Sequence, residues 1–364
     1  MKKALIAVGL FIGINATAQI STNSTNNNSG SSSQSAIGLQ TTASGNTSTA
    51  TGYQTTASGS ASTAMGKETT AGGDNSIAMG YLTSASGGSS IAMGRSTSAS
   101  ELYATAMGWQ TTASGNSSTA TGYLTTASGE SSSSMGRETL ASGPYSKATG
   151  YLSTASGEAS TAMGRSTSAT ELNATAMGWQ TTASGNSSTA TGYLTTASDF
   201  GSLVIGQYNL SGSTVTNSAT EANYANTAFV IGNGTFSNAK SDAFKVMVNG
   251  NTTVGNDLTV SGDIVVSSDA RLKANIVSLG ATLAKLLLID GKTYTMKKDG
   301  KQKIGVLAQD IQKVFPELVT TDDKDMLAVN YQGLVPVLIN ALKEQQSEID
   351  ELKEMFKELI TKQK

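Results

Sequence analysis

The chain has 364 residues, no cysteine, no histidine and a formal net charge of −2 at pH 7. Without these two residue types it has no thiol nucleophile, no disulfide framework, no conventional zinc site and no Ser–His–Asp triad. The near-neutral charge gives no reason to expect a nucleic acid or an anionic membrane surface as partner. We therefore expect no metal and no cofactor, and any catalysis has to use Ser, Lys, Asp, Glu or Tyr.

The first residues have the pattern of a secretory signal. Two lysines precede an apolar run over residues 4–14, and a small-residue cleavage site, Ala16-Thr17-Ala18, follows. The apolar run is about half of the roughly 20 residues that a membrane-spanning helix needs. The sequence thus predicts a signal peptide over residues 1–18, export to the cell surface or the extracellular space, and no integral membrane span.

A 14-residue period dominates residues 35–206, which follow a Ser/Asn-rich linker over residues 19–34. Glycine recurs at every fourteenth position from Gly38 to Gly206, and alanine does so from Ala43 to Ala197. Within each unit small residues alternate with others in two short runs separated by glycine, which is typical of strands and turns. The period predicts a β-solenoid in which each unit forms one coil. An interior of Ala, Ser and Gly is weakly hydrophobic, so we expect several chains to associate.

The recurring motif is Ser-x-Ala-x-Gly, as in Ser62-Thr63-Ala64-Met65-Gly66 and Ser90-Ile91-Ala92-Met93-Gly94. It resembles the YadA-type head repeat of trimeric autotransporter adhesins. The resemblance covers about 170 residues and implies a trimeric, left-handed, parallel β-roll.

The residue after each column glycine varies more than the rest of the unit, and we expect its side chain to face outward. Exposed aromatic and arginine side chains are typical of a binding surface, here for a host or cell-surface protein or a glycan. The simpler interpretation is a solvated face with stacking between coils. The candidate binding face consists of Tyr81, Arg95, Trp109, Tyr123, Arg165, Trp179 and Tyr193.

A column of threonines, from Thr41 to Thr195, leaves a different function open. Regular threonine ladders also occur on ice-binding solenoids, although ordinary β propensity and cross-strand pairing explain the same pattern. Ice binding is a minor alternative, because it would not need the different region that follows the repeats.

From Gln207 to Ser267 the period is lost and a β-rich neck or shaft is predicted. Its strand-like pieces are TAFVIGNG, DAFKVMVNGN and NDLTVSGDIVVS. The Asn249-Gly250 pair between alternating runs predicts a hairpin. Such turn-punctuated segments look like the shaft pieces of phage tail fibres and the necks of adhesins.

Ordinary globular composition begins at Ser268, where four motifs follow one another. They are SDARLK from Ser268, IGVLAQ from Ile304, FPELV from Phe315 and VNY from Val329. In this order they resemble the C-terminal intramolecular chaperone domain of endosialidases and other phage tailspikes, a family of self-cleaving serine peptidases. The resemblance implies a small α+β chaperone and auto-processing domain over residues 268–337.

The same resemblance implies a Ser–Lys pair that cuts the chain just before the serine. Ser268 would be the nucleophile, Lys273 the general base and Ser267–Ser268 the bond that is cut, with Asp269 in support by orienting the turn or tuning Lys273. A lysine can act in this way if burial or neighbours lower its pKa towards neutrality. The enzyme would be a single-turnover serine endopeptidase without an external substrate. A compatible alternative is that Ser and Asp cap the start of a helix.

The C-terminal segment has apolar residues at alternating spacings of three and four, with charged residues between them. This heptad pattern predicts a parallel coiled coil over residues 338–364, whereas the alternative is a surface helix packed on its own domain. The resemblances at both ends of the chain imply a homotrimer. The heptad seam consists of Val335, Leu338, Leu342, Gln345, Ile349, Leu352, Phe356 and Leu359, in which glutamine is the one polar residue.

Taken together, the sequence predicts a mainly β, exported, trimeric, adhesin-like surface fibre. Its C-terminal domain would drive trimerisation and folding and then release itself by self-cleavage. The alternative is a structural protein, like a phage tail fibre, whose trimerisation domain stays uncleaved.

Overall fold

The computed structural model describes residues 34–210, 212–213, 218–322 and 325–363. These residues belong to two compact units, which meet in the sequence between Val260 and Ser261. The predicted signal peptide, and all but the last residue of the predicted linker, lie outside the described residues. Within the described ranges no helix combines the length and the apolar character that a membrane span requires.

Each 14-residue unit forms one coil with a five-residue strand and a two-residue strand, numbered here in chain order. The long strands are β1 (Ser35–Leu39), β3 (Thr49–Tyr53), β5 (Thr63–Lys67), β7 (Ile77–Tyr81), β9 (Ile91–Arg95), β11 (Thr105–Trp109), β13 (Thr119–Tyr123), β15 (Ser133–Arg137), β17 (Lys147–Tyr151), β19 (Thr161–Arg165), β21 (Thr175–Trp179), β23 (Thr189–Tyr193) and β25 (Leu203–Gln207). The short strands are β2 (Thr42–Ala43), β4 (Thr56–Ala57), β6 (Thr70–Ala71), β8 (Ser84–Ala85), β10 (Ser98–Ala99), β12 (Thr112–Ala113), β14 (Thr126–Ala127), β16 (Leu140–Ala141), β18 (Thr154–Ala155), β20 (Ser168–Ala169), β22 (Thr182–Ala183) and β24 (Thr196–Ala197).

Every strand pairs in parallel with the equivalent strand of the next coil. Gly108, for example, lies opposite Gly94 on one side and Gly122 on the other. The long strands build one sheet and the short strands a second sheet of 12 strands. The predicted parallel β-solenoid of 14-residue coils is therefore confirmed.

The glycine column is explained by close approach between coils. Gly108 has φ of +128°, and a Cβ atom added to it would lie 2.0 Å from the carbonyl oxygen of Gly122. Two positions later the chain turns through a left-handed residue, as at Gln110 with φ of 52°. Only glycine fits the first of these positions, because a side chain would collide with the backbone of the next coil.

The interior consists of small side chains in continuous columns. The column alanines from Ala43 to Ala197 are fully buried, and so are the column threonines from Thr41 to Thr195. The ice-binding alternative is therefore wrong, because the threonine ladder points into the coil and presents no surface to solvent. The threonines are buried because each precedes a column alanine by two residues, as Thr55 precedes Ala57. In extended backbone two such side chains point to the same side, here the interior of the coil.

Polar side chains close the last coil where the period ends. The buried carboxylate of Asp199 accepts hydrogen bonds from the backbone N–H groups of Ser213 and Thr227, both at 2.7 Å. The side-chain amide of Asn209 pairs with the backbone of Thr196 at 2.8 Å and 2.9 Å. The Asp199 carboxylate and the Asn209 amide thus supply hydrogen-bond partners for backbone groups that a further coil would otherwise pair with.

The neck continues the long-strand sheet and then reverses. Strand β26 (Thr227–Asn233) pairs in parallel with β25, β27 (Asp242–Met247) runs antiparallel to β26, and β28 (Thr252–Val254) completes a hairpin around Asn249-Gly250. The predicted hairpin is confirmed. The expected strand in residues 256–267 is absent, because its alternating pattern finds no neighbouring strand with which to pair.

The unit from Ser261 to Lys364 is a small α+β structure. It contains α1 (Leu283–Leu286), the hairpin of β29 (Lys292–Thr295) and β30 (Gln302–Gly305), α2 (Ala308–Val314), the hairpin of β31 (Val319–Thr321) and β32 (Leu327–Val329), and α3 (Leu334–Lys362). Short 3-10 turns cover Ala270–Leu272, Pro316–Leu318 and Tyr331–Gly333. Its core is small and centres on Ile311, Phe315 and Val337.

Helix α3 has 29 residues, of which only Val337 and Ala341 are buried. The apolar residues of the heptad seam remain between 40% and 66% exposed, and Leu352 and Phe356 lie at the upper end of this range. The core of the unit thus uses the first turns of α3 and leaves the rest of the helix uncovered.

Candidate functional site

A single 3-10 turn brings the predicted nucleophile and base together. The backbone N–H of Leu272 donates to the carbonyl of Asp269 and that of Lys273 to the carbonyl of Ala270, both at 3.1 Å. This turn folds Lys273 back over Ser268, and Nζ of the lysine donates a hydrogen bond to Oγ of the serine at 2.7 Å. Two residues five positions apart are therefore in direct contact.

Asp269 holds this turn in place. Its carboxylate accepts from the backbone N–H of Arg271 at 2.8 Å and forms an ion pair with the guanidinium of the same residue at 2.8 Å. The hydrogen bonds from the Arg271 side chain and backbone lower the pKa of the Asp269 carboxyl below its usual value. The predicted N-cap is present, since Asp269 precedes the 3-10 turn and its side chain accepts from the backbone N–H of Arg271.

The surroundings of the Ser–Lys pair are open to solvent. Every residue from 255 to 281 is exposed, including apolar side chains such as Leu272 and Val277. Ser267, Asp269, Arg271 and Leu272 line a shallow surface depression beside the pair. A single chain therefore holds the two groups in contact without covering them.

The other motifs of this unit build its core. Ile304–Gln309 joins the end of β30 to the start of α2, and Phe315–Val319 joins the end of α2 to β31. The hydroxyl of Tyr331 accepts a hydrogen bond from the backbone N–H of Val306 at 3.2 Å. These residues support the fold of the unit and lie outside the hydrogen-bonded contact between Ser268 and Lys273.

Sequence reasoning missed a carboxylate that ties α1 to α3. Glu344 on α3 accepts hydrogen bonds from the backbone N–H groups of Thr282 and Leu283 at the start of α1. The hydroxyl of the buried Thr282 also donates to the carbonyl of Val337 at 2.9 Å. In the sequence, Glu344 looks like one more charge between heptad positions, so no local signal identifies this contact.

The predicted binding face forms part of a continuous outer ladder along the solenoid. The rings of Trp109 and Tyr123 pack in a tilted arrangement with their centroids 4.4 Å apart, and those of Trp179 and Tyr193 do so at 4.2 Å. Every cation of the outer ladder lies 5.3–5.9 Å from the centroids of two flanking rings. The side chains point outward as expected, and those of neighbouring coils contact one another in tilted pairs. The outer ladder consists of Tyr53, Lys67, Tyr81, Arg95, Trp109, Tyr123, Arg137, Tyr151, Arg165, Trp179 and Tyr193.

No group of three or more acidic side chains converges in the described ranges in the way that a metal ion would require.

Two protein-family models match the chain. The YadA head domain repeat, as a model of two copies, matches residues 35–55, 57–83, 85–111, 99–125, 113–139, 127–153, 141–167 and 169–195. The chaperone of endosialidase matches residues 268–320. Both resemblances that the motifs suggested are thereby confirmed.

The chain is also similar to long tail fiber proteins of phages. Long tail fiber protein Gp37 of Salmonella phage S16 is 34% identical over 103 residues, which are 25% of this chain and 14% of that protein. Long tail fiber protein Gp37 of Enterobacteria phage Ox2 is 34% identical over 99 residues, which are 24% of this chain and 39% of that protein. The similarity spans well under half of the length of either relative.

Proposed function

We propose that this chain, which joins YadA head repeats to a chaperone of endosialidase domain, is an exported, trimeric, adhesin-like surface fibre. Residues 35–206 would form the fibre and residues 207–267 its neck. The domain from Ser268 would assemble three chains, guide their folding and then detach. A signal peptide over residues 1–18 would bring the product to the cell surface or the extracellular space, and the names of the phage relatives are in keeping with a fibre.

Association of chains is supported by apolar surface in both units. In the long strands the second residue, usually alanine, points inward, and the residues on either side of it, such as Ile77 and Met79, point outward. The residue after this inward position is methionine or isoleucine in nine of the thirteen long strands and threonine in the other four. These side chains form an interrupted apolar file on the outer face of the sheet, and partly exposed apolar surface of this kind favours a partner. The heptad seam of α3 offers a second such surface. The methionines of this file are Met65, Met79, Met93, Met107, Met135, Met163 and Met177.

The observation that carries the cleavage proposal is the 2.7 Å hydrogen bond between Nζ of Lys273 and Oγ of Ser268. A neutral lysine amine would take the hydroxyl proton while Oγ attacks the carbonyl carbon of Ser267. The C–N bond between Ser267 and Ser268 then breaks, and the lysine returns the proton to the leaving nitrogen. Ser267 is left as an ester on Oγ. Water hydrolyses this ester, which yields a carboxylate on Ser267 and a free amine and hydroxyl on Ser268.

Assembly supplies a trigger for this reaction. A lysine accepts a proton only in its neutral form, and burial favours that form. Because residues 255–281 are exposed in a single chain, partner chains would have to cover Ser268 and Lys273 before the bond breaks. Cleavage would then follow assembly, and loss of the folding template would leave the fibre kinetically trapped.

Denaturing mass spectrometry of residues 19–364 tests the proposal. We expect the wild-type chain to appear as two fragments, residues 19–267 and 268–364, whereas the Ser268→Ala and Lys273→Met chains stay whole. The matched control is Ser267→Ala, which changes the neighbouring serine without removing the nucleophile and should still be cleaved. Wild-type chains that stay whole while they assemble would overturn the release step.

A second candidate function is a structural fibre whose C-terminal domain remains attached as a trimerisation foot. The similarity to long tail fiber proteins favours this candidate. It predicts trimers of intact chains for the wild type and for Ser268→Ala alike, so the same experiment separates the two functions.

A further inference from the structure

The four cations of the outer ladder differ in their ionic partners. Lys67 and Arg137 each form an ion pair with the glutamate that follows them in the chain, at 3.5 Å and 2.9 Å. Arg95 and Arg165 are followed by serine and form no ion pair with any residue in the described parts of the chain. Both of these arginines are exposed. Half of the cations are therefore neutralised within the fold, and the other half are left with uncompensated charge.

The two uncompensated arginines have the same surroundings. Arg95 lies between Tyr81 and Trp109, with its guanidinium carbon 5.7 Å from the centroid of each ring. Arg165 repeats this arrangement, at 5.7 Å and 5.9 Å from the corresponding tyrosine and tryptophan rings. The sequence GRSTSA surrounds both arginines. Five coils separate the two positions, which at about 4.8 Å per coil amounts to about 24 Å.

This arrangement holds the arginine guanidinium in place for binding an anion. The planar fork of arginine binds a carboxylate or a sulfate through two parallel hydrogen bonds. Here the side chain is already held between two rings, so less conformational freedom is lost when an anion binds. The partly exposed face of Trp109 adjoins the fork and offers apolar area to a ligand that carries both an anionic group and an apolar surface.

A sugar ring that carries an acidic group has this combination of properties. The anionic group would pair with the arginine while the C–H face of the sugar ring packs on the tryptophan. A linear polymer of such sugars could reach both sites, and the second contact would then form at a high effective concentration. A protein partner would need a shape that matches 24 Å of a regular ladder, whereas a repeating polymer meets that condition through its own periodicity.

We propose that Arg95 with Trp109, and Arg165 with Trp179, form twin binding sites for an acidic polysaccharide. The proposal rests on the proposed role as a surface fibre, because that role brings the solenoid into contact with external polymers. The paired cations Lys67 and Arg137 stiffen the outer ladder and take no part in binding. Each chain would engage one polymer strand at two points along the solenoid.

Binding of defined polymers to immobilised full-length protein tests the proposal. The probes are polygalacturonate with carboxylate groups, dextran sulfate with sulfate groups, and uncharged dextran. We expect at least one acidic polymer to bind and dextran not to bind. The double variant Arg95→Gln/Arg165→Gln should weaken binding at least tenfold. The matched control Lys67→Gln/Arg137→Gln removes the same charge from the same ladder and should change the affinity less than twofold.

Several outcomes would overturn the proposal. Equal losses of affinity in the two double variants would indicate non-specific attraction between charges. Binding of dextran as tight as that of the acidic polymers would also contradict the proposal, and so would the failure of every polymer to bind. A preference between the two acidic polymers identifies the anionic group. The Trp109→Leu/Trp179→Leu variant should also weaken binding, and unchanged circular dichroism verifies that each variant folds. Measurements on the Ser268→Ala chain keep this test independent of self-cleavage, since polymer binding persists there even if the release step fails.

Discussion

The solenoid and the C-terminal unit differ in how they exclude water. Every inner coil of the solenoid lies between two similar coils, and its alanine and threonine columns are buried. In the unit from Ser261 to Lys364, the buried apolar residues among those described are Ile311, Phe315, Val337 and Ala341. The solenoid buries its inner columns by stacking coil on coil and keeps its partly exposed apolar side chains on the outer face, whereas in the C-terminal unit most large apolar side chains are exposed.

This difference shows why a fibre of such repeats gains from a dissimilar domain. Neighbouring coils carry the same glycine and alanine columns, so a slip of one whole coil between two chains keeps these columns matched. Small-residue strands therefore specify their register weakly. The heptad seam of α3 and the motif-rich core have no such internal copies. A domain with one way to assemble can align chains that the repeats alone would align in many ways.

The largest expected loss of stability comes from adding a methyl group in the glycine column of the solenoid. Gly122 has φ of +128°, and a Cβ atom there would lie 2.0 Å from the carbonyl oxygen of Gly136. We expect Gly122→Ala to lower the free energy of unfolding of the solenoid by roughly 3 kcal/mol or more, through strain and steric conflict. Gly72→Ala is the matched control, because its nearest neighbour would lie at an ordinary 3.7 Å.

Tryptophan fluorescence during urea unfolding measures this effect in the full chain. The sequence contains two tryptophans, Trp109 and Trp179, and both lie in the solenoid. Gly262→Ala extends the control to the C-terminal unit, where an added Cβ atom would meet nothing within 4 Å. If Gly122→Ala unfolded at the same urea concentration as Gly72→Ala, close approach between coils would not explain the column.

The heptad seam provides the next largest effect, on assembly rather than on the single chain. Leu352 and Phe356 are 60% and 66% exposed, so their truncation removes little from the monomer. We expect Leu352→Ala and Phe356→Ala each to weaken association by about 2 kcal/mol per chain, because the buried apolar area in the coiled coil is lost. Light scattering over a range of protein concentrations measures the shift. Glu351→Ala, outside the seam, should leave it unchanged, and an equal shift would argue against the seam.

The sequence predicts the solenoid in more detail than it predicts the C-terminal unit, and the reason is physical. Each coil pairs with the equivalent residues of the next unit. A local sequence pattern is therefore enough to predict the coil length, the strands and the alanine column. The inward direction of the threonines was missed although the two-residue offset from Thr55 to Ala57 contained it. The pairing of Ser268 with Lys273 is implied by the family resemblance of the SDARLK motif and not by the spacing alone, and in the structure one turn brings the two side chains into contact. The contact between Glu344 and Thr282 depends on tertiary packing between distant segments, for which a single sequence holds no local signal.

The threonine column allows a finer test of the solenoid interior. The hydroxyl of Thr111 is buried without a hydrogen-bond partner among the described residues, whereas that of Thr139 lies 2.7 Å from the hydroxyl of Ser134. An unpaired buried hydroxyl costs about 1–3 kcal/mol, and valine keeps the β-branched shape. We expect Thr111→Val to raise the free energy of unfolding by about 1 kcal/mol and Thr139→Val to lower it by about 1 kcal/mol. Changes of the same sign in both variants, followed by tryptophan fluorescence, would contradict this account of the interior.

The smallest effect concerns how α1 is held against α3 as the pH falls. Hydrogen bonds from the backbone of Thr282, and then from that of Leu283, lower the pKa of the Glu344 carboxyl below its usual value. The folded state therefore binds this proton less tightly than the unfolded state does. The stabilisation is fully present above the ordinary carboxyl range and is lost as the pH falls through the lowered folded value. Hydrogen exchange measures this change.

After correction for the intrinsic pH dependence of exchange, the backbone amides of Thr282 and Leu283 should exchange faster in acid. In the Glu344→Gln variant the same two amides should exchange faster at every pH, and their corrected rates should depend less on pH. Because the group borders solvent, we expect a local change and no shift in tryptophan fluorescence. Glu348→Gln on the same helix should behave like the wild type, and an equal change there would assign the effect to helix charge instead of to this contact.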